Sequence, residues 1–479
     1  METRYARLLD GADAADLGRR LAAAATAAGA EHRLEDPHLR AVDEVGRWVA
    51  APLLVPYVLW LLCDARARGL KRLYFVARDG QVLLAIARRL APRVGFDGEL
   101  RYLYGSRRSW EPALRPGAEA ASLIVDYLRQ EGLCEPVASG LVDIGWQGTL
   151  HGIAAELQHA SGAPVGRGYV FGSGRKKSAW ASHRAAFAFD LGVDRNPDLF
   201  LPEFYDISTI CEVFAAADHG TVLAFERAGG RIVPRCADGW AATAAAWGVP
   251  TLQRAMVAVA SHLDLGGWTP SDARRMALTG KPTLRAFWLR PTTAEARAWA
   301  AFRWDEGQEW TTALEALAEP FGRADLARLG PLLLRRRMRK RPRFWIEGAL
   351  RLTPWPQRPV FTGVIRALRL GEAVGGGWRR RRGAAPGATP MPEPVAGGGR
   401  RRRRRRRGSV RPGRSGGRQR QSALIPRDHG AHPARRLQRR LFDQEREDEG
   451  QHQRQREVER EARGEAEAPG DVEIGDHRV

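Results

Sequence analysis

Cysteine is scarce: 4 in 479 residues, at positions 63, 134, 211 and 236. No two form a Cys-x-x-Cys pair, which argues against a structural zinc site and a disulfide framework and points to a reducing cytoplasm. Long apolar runs are also missing. Trp48 to Cys63 is apolar but only 16 residues long, and it carries Pro52 and Pro56. A spanning helix takes about 20 apolar residues, so this stretch reads as a buried helix under a sheet. Met1 to Arg20 is charged and lacks the apolar core of a secretory signal. No Ser–His–Asp, His-metal or paired-carboxylate constellation compels an enzyme, and no P-loop is present.

Positive charge is abundant but uneven. The chain carries 77 Lys+Arg against 55 Asp+Glu, a net +22. Residues 371–479 hold 27 Lys+Arg and 16 Asp+Glu, a net +11, so half of the excess lies in the last quarter. That quarter includes the unbroken run Arg400 to Arg407 and almost no apolar residue able to form a core. It reads as a disordered Arg-rich tail, and its composition matches a GC-rich gene read out of frame. An oligo-Arg run binds polyanions without sequence preference, so no specific nucleic acid is expected as a partner.

Before the tail, the pattern divides the chain. Residues 1–45 form an N-terminal helical segment. Residues 46–236 form an α/β ligand-binding domain with a hairpin, and 237–330 a helical domain. Residues 331–370 are basic and amphipathic. In the α/β domain, strands at 73–77, 100–105, 140–144 and 166–172 alternate with helices at 81–90, 119–130 and 149–159. Such alternation implies a mostly parallel sheet with helices on both faces; the strands are apolar runs, as expected when both faces are buried. Thr221 to Glu226 and Arg231 to Pro234 flank Ala228-Gly229-Gly230, a hairpin signal. Helices are expected at 252–263, 293–302 and 310–318. Between 335 and 355, arginines precede Phe344, Trp345, Ile346, Leu350, Leu352 and Trp355. That mixture suits an interfacial helix and suggests peripheral contact with the inner membrane; an ordinary solvated helix is the plainer reading.

Two strand-to-helix turns carry the chemistry. In Arg78-Asp79-Gly80, Gly80 permits a sharp turn, the helix start offers free N–H groups, and Arg78 can clamp an anion. Asp79 can cap the helix, hold a metal such as Mg²⁺, or act as a base. In Asp143-Ile144-Gly145-Trp146-Gln147-Gly148-Thr149, two glycines bracket a loop and Thr149 opens a helix, a plausible phosphate cradle. Trp146 either stacks on a ligand ring or packs. Between these turns, Ser106, Arg107 and Arg108 follow another strand. Ligands of open α/β sheets bind at the carboxyl ends of strands, so the three turns suggest one composite anion site.

The stretches Arg72 to Gly80, Tyr102 to Arg108 and Val142 to Leu150 resemble the C-terminal half of bacterial predicted hydrolases of the haloacid dehalogenase superfamily. The resemblance continues through Glu212-Val213-Phe214, the hairpin and Phe287 to Thr292, over roughly 40–320. It implies a setting in cell-surface polysaccharide biosynthesis, beside glycosyltransferases. The Asp-x-Asp nucleophile of the hydrolase half is absent, so phosphatase activity is not carried over, and His151 stands where Gln is expected. A looser likeness is to type I phosphoribosyltransferases, whose Gly/Thr loop usually follows two acidic residues; here only Asp143 is present. The expectation is a protein that binds a phosphorylated sugar or nucleotide-type ligand. Arg78, Arg107 and Arg108 would neutralise the anion, while Gly80, Gly145, Gly148 and Thr149 donate to it. Asp79 and Asp143 would hold a metal or hydroxyls, or serve as base; Ser106, Trp146 and Gln147 would complete the lining. The alternatives are a phosphoribosyltransferase-like enzyme and a non-catalytic scaffold for a glycosyltransferase.

Overall fold

The computed structural model describes residues 2–368 except 12–13, 32, 115–118, 175–179, 191–206, 305–314, 326–328 and 330–343. The tail from 371 and the basic run 335–343 therefore lie outside the described residues.

Five apolar segments form one parallel sheet: β1 (Arg72–Val76), β2 (Glu99–Leu103), β3 (Ser139–Trp146), β4 (Arg167–Ser173) and β5 (Arg184–Asp190). Their order is β2-β1-β3-β4-β5. The chain builds outward from β1 in one direction, then returns to the other side, so the order reverses between β1 and β3. Alternate residues of each strand face opposite ways. Leu73, Phe75, Val142, Ile144, Tyr169 and Phe171 join one core; Tyr74, Val76, Leu103 and Leu141 join another. Helices therefore cover both faces, as the apolar strand pattern implied. β5 was not foreseen; Arg-Ala-Ala-Phe-Ala-Phe-Asp is short on large apolar side chains.

On the first face lies a continuous helical run, Pro37–Ala67, of 31 residues. It is long and apolar enough to cross a membrane, yet 89% of its most apolar window is buried in the protein. Tyr57 is fully buried, and its ring meets Phe171 edge-on at 5.7 Å. The same core takes in Leu21 from the N-terminal helices, Leu252 of the Val249–His262 helix, and Trp299. The second face is covered by the Glu119–Gln130 and Thr149–Ala160 helices.

The hairpin is present as β6 (Val222–Ala228) and β7 (Arg231–Cys236). Gly229 and Gly230 have φ of 57° and 75°, which the tight reversal requires. The 293–302 expectation corresponds to Thr293–Ala300, entered through a reciprocal Thr292–Glu295 cap. The helix expected at 310–318 is corrected where described: β9 (Glu315–Ala316) pairs antiparallel with β8 (Arg303–Trp304). Its backbone bonds go to a neighbouring segment, since Leu317 N donates to Phe302 O at 2.8 Å. Residues 310–314 lie outside the described set.

At the C-terminal side, the Ile346–Leu352 helix is followed by a helix over 357–368. Trp345 is fully buried, stacks on Trp288 at 5.3 Å, and donates its indole N–H to Trp288 O at 2.8 Å. Trp345 and Ile346 thus face the interior rather than any outer surface.

Candidate functional site

The carboxyl ends of β1 and β3, at the point where strand order reverses, are where open α/β sheets place ligands. Both acidic turns stand there. Arg78 and Asp79 follow β1, and Gly80 opens the Gly80–Val94 helix. A Cβ on Gly80 would lie 2.6 Å from the Phe75 carbonyl carbon, so the helix starts in close contact with the strand. Asp79 precedes that helix but makes no capping bond. Its carboxyl group is therefore not consumed by local structure, against the simplest reading of an Asp at this place.

Asp143 lies within β3. Its Oδ1 accepts from the Ile144 N–H at 2.8 Å, and its backbone carbonyl accepts from the Tyr57 hydroxyl at 2.8 Å. Gly145 adopts φ 135°, and a Cβ there would sit 2.3 Å from Gly172 O. Gly148 has φ 69° and enters the Thr149–Ala160 helix without a side-chain cap. Arg184, from β5, supports this loop by donating to the Gln147 carbonyl at 3.3 Å and to Ser173 Oγ at 2.9 Å.

A third acid joins them. Glu212 sits in the Ile207–Phe214 helix and accepts a hydrogen bond from Trp146 Nε1 at 2.8 Å. One use of Trp146 is thus to orient Glu212 through its indole N–H. Burial comes first in raising all three carboxyl groups. Asp79 is pushed well above the usual carboxyl range, with Glu212 and then Asp143 adding like-charge repulsion and Arg78 opposing it. Asp143 is pushed up to about 7; the N–H groups of Ile144 and Gly145 oppose the shift, Glu212 adds to it, and Arg107 opposes it. Glu212 is also raised, against the pull of Trp146, Arg78 and Arg107. All three residues keep partial solvent contact, while their carboxyl groups are largely buried.

Asp79, Asp143, Arg78, Arg107 and Trp146 are therefore brought together. Gly80, Gly145, Gly148 and Thr149 form the two turns beneath them. Gln147 is exposed beside the loop, and Arg107 and Arg108 are both exposed. Ser106 serves the architecture instead. Its hydroxyl donates to Val222 O at 2.7 Å, and it caps the short Arg107–Trp110 helix. His151 is a core residue whose ring packs on Gly168, and burial lowers its pKa to about 4.

The sequence did not assign Glu212 a role, because an acid inside Ile-Ser-Thr-Ile-Cys-Glu-Val-Phe meets its partners only through the fold. The one available signal was the charge itself in an apolar helix. His219 and Tyr102 were also missed. Tyr102 and His219 Nε2 lie 2.6 Å apart, and His219 Nδ1 lies 2.9 Å from Gly220 O. With Nδ1–H donating to that carbonyl, Nε2 accepts the Tyr102 proton. A further amide junction binds the flanks. Gln81 donates to Asp218 Oδ1 at 2.6 Å and accepts from Asp218 N–H at 3.0 Å, while Gln253 donates to Gln81 Oε1 and Ala216 O, each at 2.8 Å.

Among the described residues, no three His, Cys, Asp or Glu side chains are grouped to hold a metal ion. No step is drawn through the expected Mg²⁺. No known protein family matches this chain, and none of the curated proteins matches it.

Proposed function

We propose that this protein binds a phosphorylated small molecule, a sugar phosphate or nucleotide-type ligand, at the carboxyl ends of β1 and β3. The observation that carries this reading is the meeting of Asp79, Asp143 and Glu212 with Arg78 and Arg107 at the reversal of strand order. Five ionised groups would leave the site with one net negative charge. Burial and mutual repulsion instead favour protons on the acids, which turns the net charge of the group positive and suits an anion. The carboxyl groups then meet hydroxyls of the same ligand, and Asp143, titrating near neutral pH, can take or return a proton there. The resemblance to proteins of surface-polysaccharide gene clusters gives this chemistry a biological setting in polysaccharide assembly.

The test is a thermal-shift series on the full chain with sugar phosphates, nucleotide sugars and phosphoribosyl pyrophosphate, each with and without Mg²⁺. A ligand at one hundred times its Kd stabilises by about 2.7 kcal/mol. The expected result is a rise in Tm with one phosphorylated class, lost in Arg107→Gln and in Arg78→Gln. No shift with any class, or a shift indifferent to both substitutions, overturns the assignment.

A further inference from the structure

The helix over 357–368 packs one face on the core, and the turn before it and its outer side carry exposed apolar side chains. Phe361, Ile365 and Leu368 are buried against the core. The other face is bare. Among the described residues, Trp355 at 72% and Val360 at 53% are the large hydrophobic side chains that stand exposed. Pro354, Pro356, Pro359 and Gly363 are exposed around them. Helical spacing places 359, 360, 363 and 367 in one stripe, opposite the three core residues.

The helix and the turn before it carry one sign of charge. Arg351 and Arg366 are exposed. Arg358 is held at the turn by bonds to Thr353 O at 3.1 Å and Arg351 O at 2.8 Å. Between 348 and 371 the chain contains no Asp or Glu. A two-fold contact between copies would bring like charges together, which disfavours it.

We propose that this face rests on an anionic lipid surface. Trp355 and Val360 enter the boundary between headgroups and acyl chains, and Arg351 and Arg366 meet the headgroup charges. Trp is enriched at such boundaries, and apolar area combined with cations is what holds an interfacial helix. The contact lies C-terminal to Trp345 and Ile346, which are buried.

The experiment uses the full chain with phosphatidylglycerol vesicles whose acyl chains carry bromine, a contact quencher of indole fluorescence. The Arg400 to Arg407 run can attract such vesicles by charge alone, so co-sedimentation does not decide; quenching from within the acyl region does. The expected result is quenching of the wild type, with most of it lost in Trp355→Phe and in Val360→Asp. Both variants alter exposed side chains, and an unchanged thermal midpoint in each confirms folding. Vesicles of phosphatidylcholine alone should quench several-fold less. Equal quenching in wild type and Trp355→Phe overturns the proposal, as does no quenching at all. Concentration-dependent self-association that Val360→Asp abolishes, without lipid quenching, overturns it in favour of a second copy.

Discussion

The two ends of β1 treat charge in opposite ways. At its start, Arg72 is buried but satisfied: it binds Glu99 at 3.1 Å, Glu135 at 2.8 Å, the Tyr74 hydroxyl at 3.2 Å and Gly132 O at 3.1 Å. Just past its end, Asp79 faces two other acids and no capping donor. The first arrangement neutralises charge and fixes β1 to its neighbours. The second sets three acids near one another, each raised chiefly by burial. Structural ion networks also shift proton affinities, so the raised acids past β1 fit the proposed ligand site without by themselves requiring it.

Removing the pairing should have the largest effect. Arg72→Ala should cost about 2–3 kcal/mol in urea unfolding; both glutamates are half exposed and regain water, which keeps the loss at that level. A loss below about 1 kcal/mol would make the two ends of β1 energetically alike.

The ends should also respond oppositely to pH. Hydrogen bonding by Arg72 holds Glu99 below the usual carboxylate range. Its contribution is present above the ordinary Glu value of about 4.3 and fades as pH falls. Asp143 is raised to about 7. Its contribution is full below the ordinary Asp value of about 3.9 and is lost as pH rises through 7. Stability of the wild type should therefore decline from weakly acidic to neutral pH, and Asp143→Asn should make that decline shallower. Identical slopes in denaturant titrations at a series of pH values would contradict the assignment.

Relieving the crowding should be mildly favourable. Asp79→Asn keeps the shape and removes the cost of burying an ionisable acid, so stability at pH 8 should rise by about 1 kcal/mol while ligand-induced stabilisation weakens. The smallest effect is expected for Arg227→Ala, which breaks an exposed pair with Asp126 at 2.7 Å; such pairs contribute about 0–0.5 kcal/mol. A larger loss would mean that the hairpin is held by charge rather than by Phe225 stacking on Tyr127 at 4.4 Å.

Strands β1 to β4 were readable because each is a short run with apolar residues ended by a polar, glycine-bearing turn, and Asp79 and Asp143 could be picked out as the acids at two of those turns. β5 was not readable, since Arg184–Asp190 alternates alanine and phenylalanine and lacks a strong β-forming run. Glu212 was hidden for another reason: its neighbours in sequence are apolar, and its partners Trp146 and Arg107 are distant along the chain. The fate of Trp345 was equally concealed. Arginines upstream suggested an outward role, while its indole N–H needed the carbonyl of Trp288, which only the packed helices supply.

Gln81 is a single side chain shared by three regions of the protein. It stands two residues past Asp79, holds the segment that follows Glu212, and is itself held by Gln253 of the Val249–His262 helix. A ligand that moves the turn after β1 must either carry that helix along or break an amide link at this junction. Uptake at the rim would then be felt far from it, as a tug on the helical flank.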